Sequence, residues 1–419
     1  MTTANKISAP LDIAAIRRDF PLYSERKLRP GSRSVVAYLD SAASSLTPEP
    51  VLAAMDAYYR ECRANVHRGM YAESEEATRR YDLAREKLAA FLGAAPEEIV
   101  FTRGATESLN LLAYSLGRDL GPGDEAVISI AEHHANLVPW QQIAKDRGFA
   151  VKFIPLAADM TLDMAAARTI IGPKTKIVSV AYASNVLGTI APVRELADLA
   201  HAAGAIMVVD AAQAVGHRRI DVKEIDCDFL ALSGHKMLGP TGIGALFGKR
   251  ARLEKLAPFL FGGDMILDVR KEDSAWNEAP SKFEAGTPNI AGAIGLGAAV
   301  DYLAALGIDA VREHEKEITA YAIRKLSAIP GLSLYGPSKE KDRAGLIAFN
   351  VDGVHPHDVA TILDRHGVCL RGGHHCAMPL FRELGLNGAM RASFGVYSTD
   401  EDVDALVAAI AKVKAVFKV

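Results

Sequence analysis

A lysine between a buried strand and a glycine turn is badly placed for a solvated surface charge. Lys236 stands there, after the apolar run Phe229-Leu230-Ala231-Leu232 and before Gly239-Pro240-Thr241-Gly242-Ile243-Gly244. An amine held away from water has a lowered pKa and can form a Schiff base with a carbonyl. Ser233 and His235 beside it can donate hydrogen bonds to a phosphate. Upstream, Asp210 closes the apolar run Ile206-Met207-Val208-Val209, with Gln213 shortly after. A carboxylate at that place can pair with a protonated ring nitrogen, the partner that pyridoxal phosphate needs to act as an electron sink. A stray surface lysine would explain Lys236 alone. It does not explain Lys236 in order with Asp210, Gln213, Ser233 and His235.

A second stretch, Val368-Cys369-Leu370-Arg371-Gly372-Gly373-His374-His375-Cys376-Ala377-Met378-Pro379, reads as a loop bounded by glycines and a proline. The two histidines and Arg371 near Cys376 predict a cationic neighbourhood, which favours the thiolate that a sulfur nucleophile needs. An inert buried thiol fits Cys369, in its apolar run, better than Cys376. Three consecutive residues do not easily aim at one tetrahedral centre, and no further ligand has a normal spacing, so no metal is expected at His374, His375 and Cys376. Arg391 sits in the apolar segment Met390 to Phe394. A guanidinium there can hold a substrate carboxylate by two parallel hydrogen bonds, or it can serve a structural ion pair. Thr102-Arg103-Gly104-Ala105-Thr106-Glu107 joins a strand to a helix through a glycine. Free amides and the helix dipole make that a ready anion site, with the Thr106 hydroxyl added, though the motif alone is also an ordinary helix cap.

These residues need a frame. Apolar runs at 99–101, 126–130, 151–154, 177–180, 206–209 and 229–232 are mostly separated by helical patterns, among them 108–117 and 192–203. Strands that are apolar throughout and joined by helices predict a mostly parallel sheet covered on both faces. In such sheets ligands sit beyond the carboxyl ends of the strands. His133, Asn185, Asp210 and Lys236 all fall just past a predicted strand end, so one pocket can collect them. Nearer the N-terminus the pattern predicts a helix over 13–20 stopped at Pro21, a basic loop over 24–34, a strand over 35–39 and helices over 50–63 and 74–92. A small-residue helix over 291–306 follows Glu284-Ala285-Gly286-Thr287-Pro288. Composition shifts near residue 305, and charged helix over 312–326, strands near 332–335 and 345–350, and helices over 357–366 and 400–417 follow. The expected organisation is an α/β chain: an N-terminal segment 1–34 packing with the small domain, a large domain 35–305, and a smaller α+β domain 306–419 carrying the Cys376 loop.

The chain has 419 residues, half of them hydrophobic, and a formal net charge of -3. That balance gives no general pull toward nucleic acid or anionic membrane. No apolar run approaches the roughly 20 residues of a membrane helix, and residues 1–10 lack the apolar core of a signal peptide. The four cysteines, Cys62, Cys227, Cys369 and Cys376, are too scattered for a disulfide framework. A reduced, cytoplasmic setting is expected.

Taken together, Asp40-Ser41-Ala42-Ala43, His67-Arg68-Gly69, Glu132-His133-His134-Ala135-Asn136, Ser233-Gly234-His235-Lys236, Glu284-Ala285-Gly286-Thr287-Pro288 and Arg371 to Pro379 carry a family resemblance. From about Phe20 to its end the chain resembles the fold-type I pyridoxal-phosphate enzymes of the class V aminotransferase group. It looks most like the Suf-type (group II) cysteine desulfurases, also called selenocysteine lyases. The resemblance implies that Lys236 carries pyridoxal 5′-phosphate, Asp210 pairs with the ring nitrogen, Gln213 bonds the ring hydroxyl and His133 stacks on the ring. It implies that Thr106, Ser233 and His235 hold the phosphate, with Thr287 reaching the phosphate of a partner subunit in a homodimer. Several relatives carry a second threonine at the position of Ala105, so one phosphate contact is either missing or made by the backbone alone. Asn185 and Arg391 are implied to grip the substrate carboxylate, Arg371 and His67 to line the entrance, and Cys376 to accept sulfur. The implied reaction converts L-cysteine to L-alanine with a persulfide on Cys376. The sulfur then passes to a SufE- or SufU-like acceptor protein for iron–sulfur cluster assembly. Release of selenium from L-selenocysteine is the nearest rival. A class V aminotransferase or a kynureninase-like lyase leaves the cysteine in the His-rich loop unexplained. A non-catalytic scaffold has no reason to retain Lys236, Asp210 and Cys376 together.

Overall fold

The computed structural model of the chain describes residues 11–24, 37–339 and 342–419. The reading of residues 1–10, nearly all of the basic loop over 24–34, and the start of the strand over 35–39 lie outside the described residues. Aliphatic runs form the strands β1 (Ala37–Tyr38), β2 (Ile99–Thr102), β3 (Glu125–Ser129), β4 (Ala150–Ile154), β5 (Thr175–Ala181), β6 (Ile206–Asp210), β7 (Phe229–Ser233) and β8 (Gly244–Gly248). All but β1 build one seven-stranded sheet in the order β2-β8-β7-β6-β5-β3-β4. β8 pairs antiparallel with β2 and β7, and every other pairing in this sheet is parallel. Six strands therefore end at one edge, and that edge receives the chemistry. The central strands β7 and β8 are buried at every residue, as a sheet covered on both faces requires.

A hairpin, β9 (Ile266–Val269) and β10 (Ser274–Trp276), projects from the large sheet's half of the chain. Beyond it, β11 (Leu332–Tyr335), β12 (Leu346–Val351), β14 (Arg371–Gly373) and β15 (Ala389–Ser393) form an antiparallel sheet in the order β11-β12-β15-β14. The short β13 (Val368–Cys369) pairs in parallel with β1, so Ala37 and Leu39 are buried with the C-terminal helix Asp400–Phe417 in a second apolar cluster.

Three expectations change. The stretch 368–379 is not one loop: Val368–Cys369 and Arg371–Gly373 are strands, because their backbones pair with β1 and β15, and Met378–Glu383 is a short helix. The helix over 13–20 ends at Arg18, and Pro21 opens a further turn, Pro21–Ser24. A proline at the first helical position loses only an N–H that has no partner there. The helix expected over 108–117 begins three residues earlier, at Ala105, directly after Gly104.

The helix Ile290–Leu306 is buried along most of its length against the helices Glu49–Glu61 and Ala72–Leu92. Its glycines allow close approach: a Cβ on Gly297 would stand 2.8 Å from Ala84 Cβ and 2.9 Å from Ala84 Cα. Gly297→Ala is therefore expected to cost about 1–3 kcal/mol by overpacking, read as a lower urea midpoint with unchanged slope. An unchanged midpoint would show that the two helices are not held this closely. Among the described residues no single helix is long and apolar enough to cross a membrane.

Candidate active site

At the carboxyl edge of the large sheet lies a cavity of about 260 Å³. All but two of the site residues expected from the sequence line it: Lys236, Asp210, Gln213, His133, Ala105, Thr106, Ser233, His235, Asn185, Arg371, Arg391 and Cys376. His67 and Thr287 do not. His67 lines a separate cavity with Arg68, Asp82 and Arg85, and Thr287 lines another with Arg103, Gly242 and Pro288. One chain by itself does not bring these two to Lys236.

Lys236 ends a 3-10 turn, Gly234–Lys236, that begins as β7 stops. The turn folds tightly on the glycine run: Gly234 N donates to Ile243 O at 2.9 Å, and a Cβ on Gly234 would come within 3.0 Å of that same oxygen. Burial lowers the Lys236 amine from its ordinary pKa, against the opposing pull of Asp210. Asp210 is the last residue of β6 and only 5% exposed. One of its oxygens accepts the Ala212 amide at 3.0 Å, and burial raises its pKa. A buried carboxylate facing a cavity is costly without a cationic partner, and a protonated ring nitrogen supplies one. Gln213 Nε2 donates to Ala42 O at 2.7 Å, which fixes the amide against the cavity wall.

On the same cavity, Ser233 Oγ accepts the Ala105 amide at 2.9 Å. Gly104 has φ 150°, and a Cβ there would lie 3.2 Å from Ser233 Oγ, inside the cradle. The 13-residue helix starting at Ala105 directs its first amides at this space, beside the hydroxyls of Thr106 and Ser233. His235 lies there with its pKa lowered by burial. A buried acid and a backbone cradle for an anion on the same cavity fit a pyridine carrying a phosphate.

His133 accepts the Ala135 amide on Nδ1 at 3.0 Å, so its ring proton sits on Nε2. Burial, with Lys236 second, pushes its pKa down to about 4, leaving a neutral flat ring against the cavity. The sequence reading passed over its neighbour Glu132. That carboxyl is 1% exposed and pushed up to about 7 by burial. It accepts from Ala181 N at 2.9 Å and Asn136 Nδ2 at 2.7 Å, and so ties the His133 turn to β5.

The thiols separate by exposure. Cys62 and Cys227 are buried, Cys369 is half-buried and Cys376 is exposed. Burial pushes the Cys227 thiol up to about 12. The cationic neighbourhood expected for Cys376 has a different origin from the one predicted. His375 must donate Nε2–H to Ala389 O (2.8 Å), and burial pushes its pKa down to about 4, so it is neutral. The positive charges lining the cavity with Cys376 belong to Arg371 and Arg391.

Arg391 serves an ion pair and keeps one nitrogen to spare. It is 3% exposed, donates to Asn185 O at 2.9 Å and pairs with Asp40 at 3.2 Å, yet its Nε has no partner. Asp40 also takes Arg371 through its other oxygen at 2.6 Å. Asp40 is thus the hub for two cavity arginines. The sequence signal was an acid closing the short strand β1, but its partners lie in β14 and β15 and only the fold brings them to it.

The family model described as "Aminotransferase class-V" matches residues 37–406. A Halalkalibacterium halodurans protein named "Probable cysteine desulfurase" is 51% identical over 96% of this chain and 98% of its own length. A Haloferax volcanii protein named "Cysteine desulfurase" is 49% identical over 98% of this chain and 99% of its own length. Among solved structures, the apo cysteine desulfurase of Thermococcus onnurineus superposes with a TM-score of 0.91 at 43% identity, covering 96% of this chain and 97% of that one.

Proposed function

The chain belongs to the aminotransferase class-V family, and from that premise we propose that the Lys236 cavity converts L-cysteine to L-alanine and leaves the sulfur on Cys376. It is a cysteine desulfurase, and its cofactor is pyridoxal 5′-phosphate. The observation that carries the proposal is the convergence of a half-buried lysine, a buried aspartate and an exposed thiol on one cavity.

The roles divide as follows. Lys236 would hold the cofactor, with Asp210 at its ring nitrogen, Gln213 at its ring hydroxyl and His133 on its face. Thr106, Ser233 and His235 would hold its phosphate, with Ala105 N, which donates to Ser233 Oγ at 2.9 Å, orienting that hydroxyl. When bound, the cofactor supplies an electron sink that stabilises negative charge left at the substrate Cα. Lys236 would take the Cα proton and later return one; burial favours the neutral amine that this requires. Cys376 attacks the substrate sulfur. A sulfur–sulfur bond forms, the Cβ–S bond breaks, and its electron pair goes to the carbon skeleton that becomes alanine. The unpartnered Nε of Arg391, backed by Asp40 and Asn185, is suited to the substrate carboxylate. Lysine there offers one point charge in place of a planar fork. Arg391→Lys is accordingly expected to raise the KM for cysteine about tenfold or more with the cofactor still bound. A KM unchanged in that variant would assign Arg391 to the ion pair alone.

The proposal extends to a homodimer in which Thr287 and His67 complete the partner's site. It extends also to the division at about residues 34 and 305, to a cytoplasmic setting, and to a SufE- or SufU-like acceptor that takes the persulfide toward iron–sulfur assembly. Selenocysteine is the second substrate, because its weaker Cβ–Se bond can pass selenium to an added thiol without Cys376. The direct test feeds the holoenzyme L-cysteine with a reductant and quantifies the carbon product. Alanine matched by sulfide is expected; pyruvate with ammonia would replace desulfuration by elimination.

A further inference from the structure

The turn that carries Cys376 is an awkward piece of backbone. His375 and Cys376 are consecutive left-handed residues, with φ 48° and 57°, and neither is glycine. Such residues persist only where the surroundings over-determine them. Next comes the helix Met378–Glu383, whose N-cap, Ala377, has no side chain able to cap it, and whose second residue, Pro379, has no N–H. The turn is therefore held from outside. Asn185 Nδ2 donates to His375 O at 2.7 Å. His134 N donates to the next carbonyl, Cys376 O, at 2.7 Å. Met378 N donates to His134 Nε2 at 3.1 Å, so the His134 ring supplies the cap that Ala377 lacks.

We infer that His134 is a positioning residue for Cys376, its backbone amide and its ring Nε2 bracketing the residue that carries the thiol. This rests on the reading of Cys376 as the sulfur acceptor. The same short turn, His134–Asn136, has His133 as its N-cap and presents that ring to the cavity. One turn at the end of β3 thus faces the cofactor end of the cavity with one histidine and holds the thiol with the next. The thiol's place relative to the substrate is set by the large sheet, although Cys376 lies between β14 and β15 of the other sheet. Accepting from Met378 requires a lone pair on Nε2, hence a neutral ring protonated at Nδ1. Burial, with His374 second, lowers the His134 pKa and supports that form.

The test uses holoenzyme of the wild type, His134→Ala and His134→Gln, whose Oε1 can stand where Nε2 does. Three signals are followed: the change in cofactor absorption when L-cysteine is added, persulfide on Cys376 in a single turnover, and hydrogen exchange over residues 374–383. In His134→Ala the absorption change is expected to be unaltered, persulfide formation to slow about tenfold or more, and exchange to quicken. His134→Gln is expected to restore both altered signals. Persulfide forming at the wild-type rate in His134→Ala overturns the assignment. So does an equal slowing of the absorption change, or a glutamine variant no better than alanine. If the wild type itself places no sulfur on Cys376, the desulfurase reading falls. Exchange alone then decides the tether: quickened in alanine and restored in glutamine upholds it, and equal in all three overturns it.

Discussion

Cys376→Ala is expected to lower alanine release from L-cysteine by about 10³-fold while alanine release from L-selenocysteine, with a reductant present, stays within a few-fold of wild type. The variant removes the one exposed thiol that lines the cavity with Lys236. It leaves Lys236, Asp210 and Arg391 untouched, so cofactor loading and substrate binding should persist. Without a nucleophile the Cβ–S bond has no acceptor for its sulfur. The weaker Cβ–Se bond can yield its selenium directly to a thiolate of the reductant, a sulfur–selenium bond forming while the Cβ–Se electron pair stays with the carbon skeleton that becomes alanine. The measurement is alanine formed from each substrate, with persulfide located by mass. Retention of both reactions would make the chain a lyase that does not use Cys376. Sulfur found on Cys369 would move the role to the other thiol of the segment. Cys369 is half-buried and pairs in β13 with Tyr38.

Lys236→Ala should abolish both reactions, by about 10⁴-fold or more, and should remove the visible absorption of lysine-bound cofactor. Two functions are lost together, the covalent hold on the cofactor and the base at Cα. The phosphate cradle of Thr106, Ser233 and His235 and the acid at Asp210 remain, so loosely held cofactor should still be recoverable by dialysis. Spectra before and after dialysis separate the outcomes. Covalently held cofactor in this variant would mean that another amine is the attachment point. The two variants together divide the reaction: one loses only sulfur acceptance, the other loses carbon chemistry as well.

The sequence by itself determined where the chemistry starts. Strands buried on both faces read as continuous apolar runs, and the residue after such a run must sit at the sheet's edge. That rule alone brought His133, Asn185, Asp210 and Lys236 to one cavity. Local rules also located the helix N-terminus after Gly104, since a glycine between a strand and a helix marks where the helix's first amides begin. Tertiary structure decided the rest, because those features depend on partners far apart in the chain. Asp40 gathers Arg371 and Arg391 only after β1 has joined β13 and β15 has joined β14. The histidines beside Cys376 looked like its source of positive charge. Burial makes His375 neutral and leaves that task to the arginines, and no spacing reveals burial. The cap on the Cys376 turn likewise comes from His134, in the turn that follows β3 of the other sheet. Short-range pattern specifies strand ends and turns because they are set by neighbouring residues. Charge state and the aim of a side chain are set by what the fold packs against it.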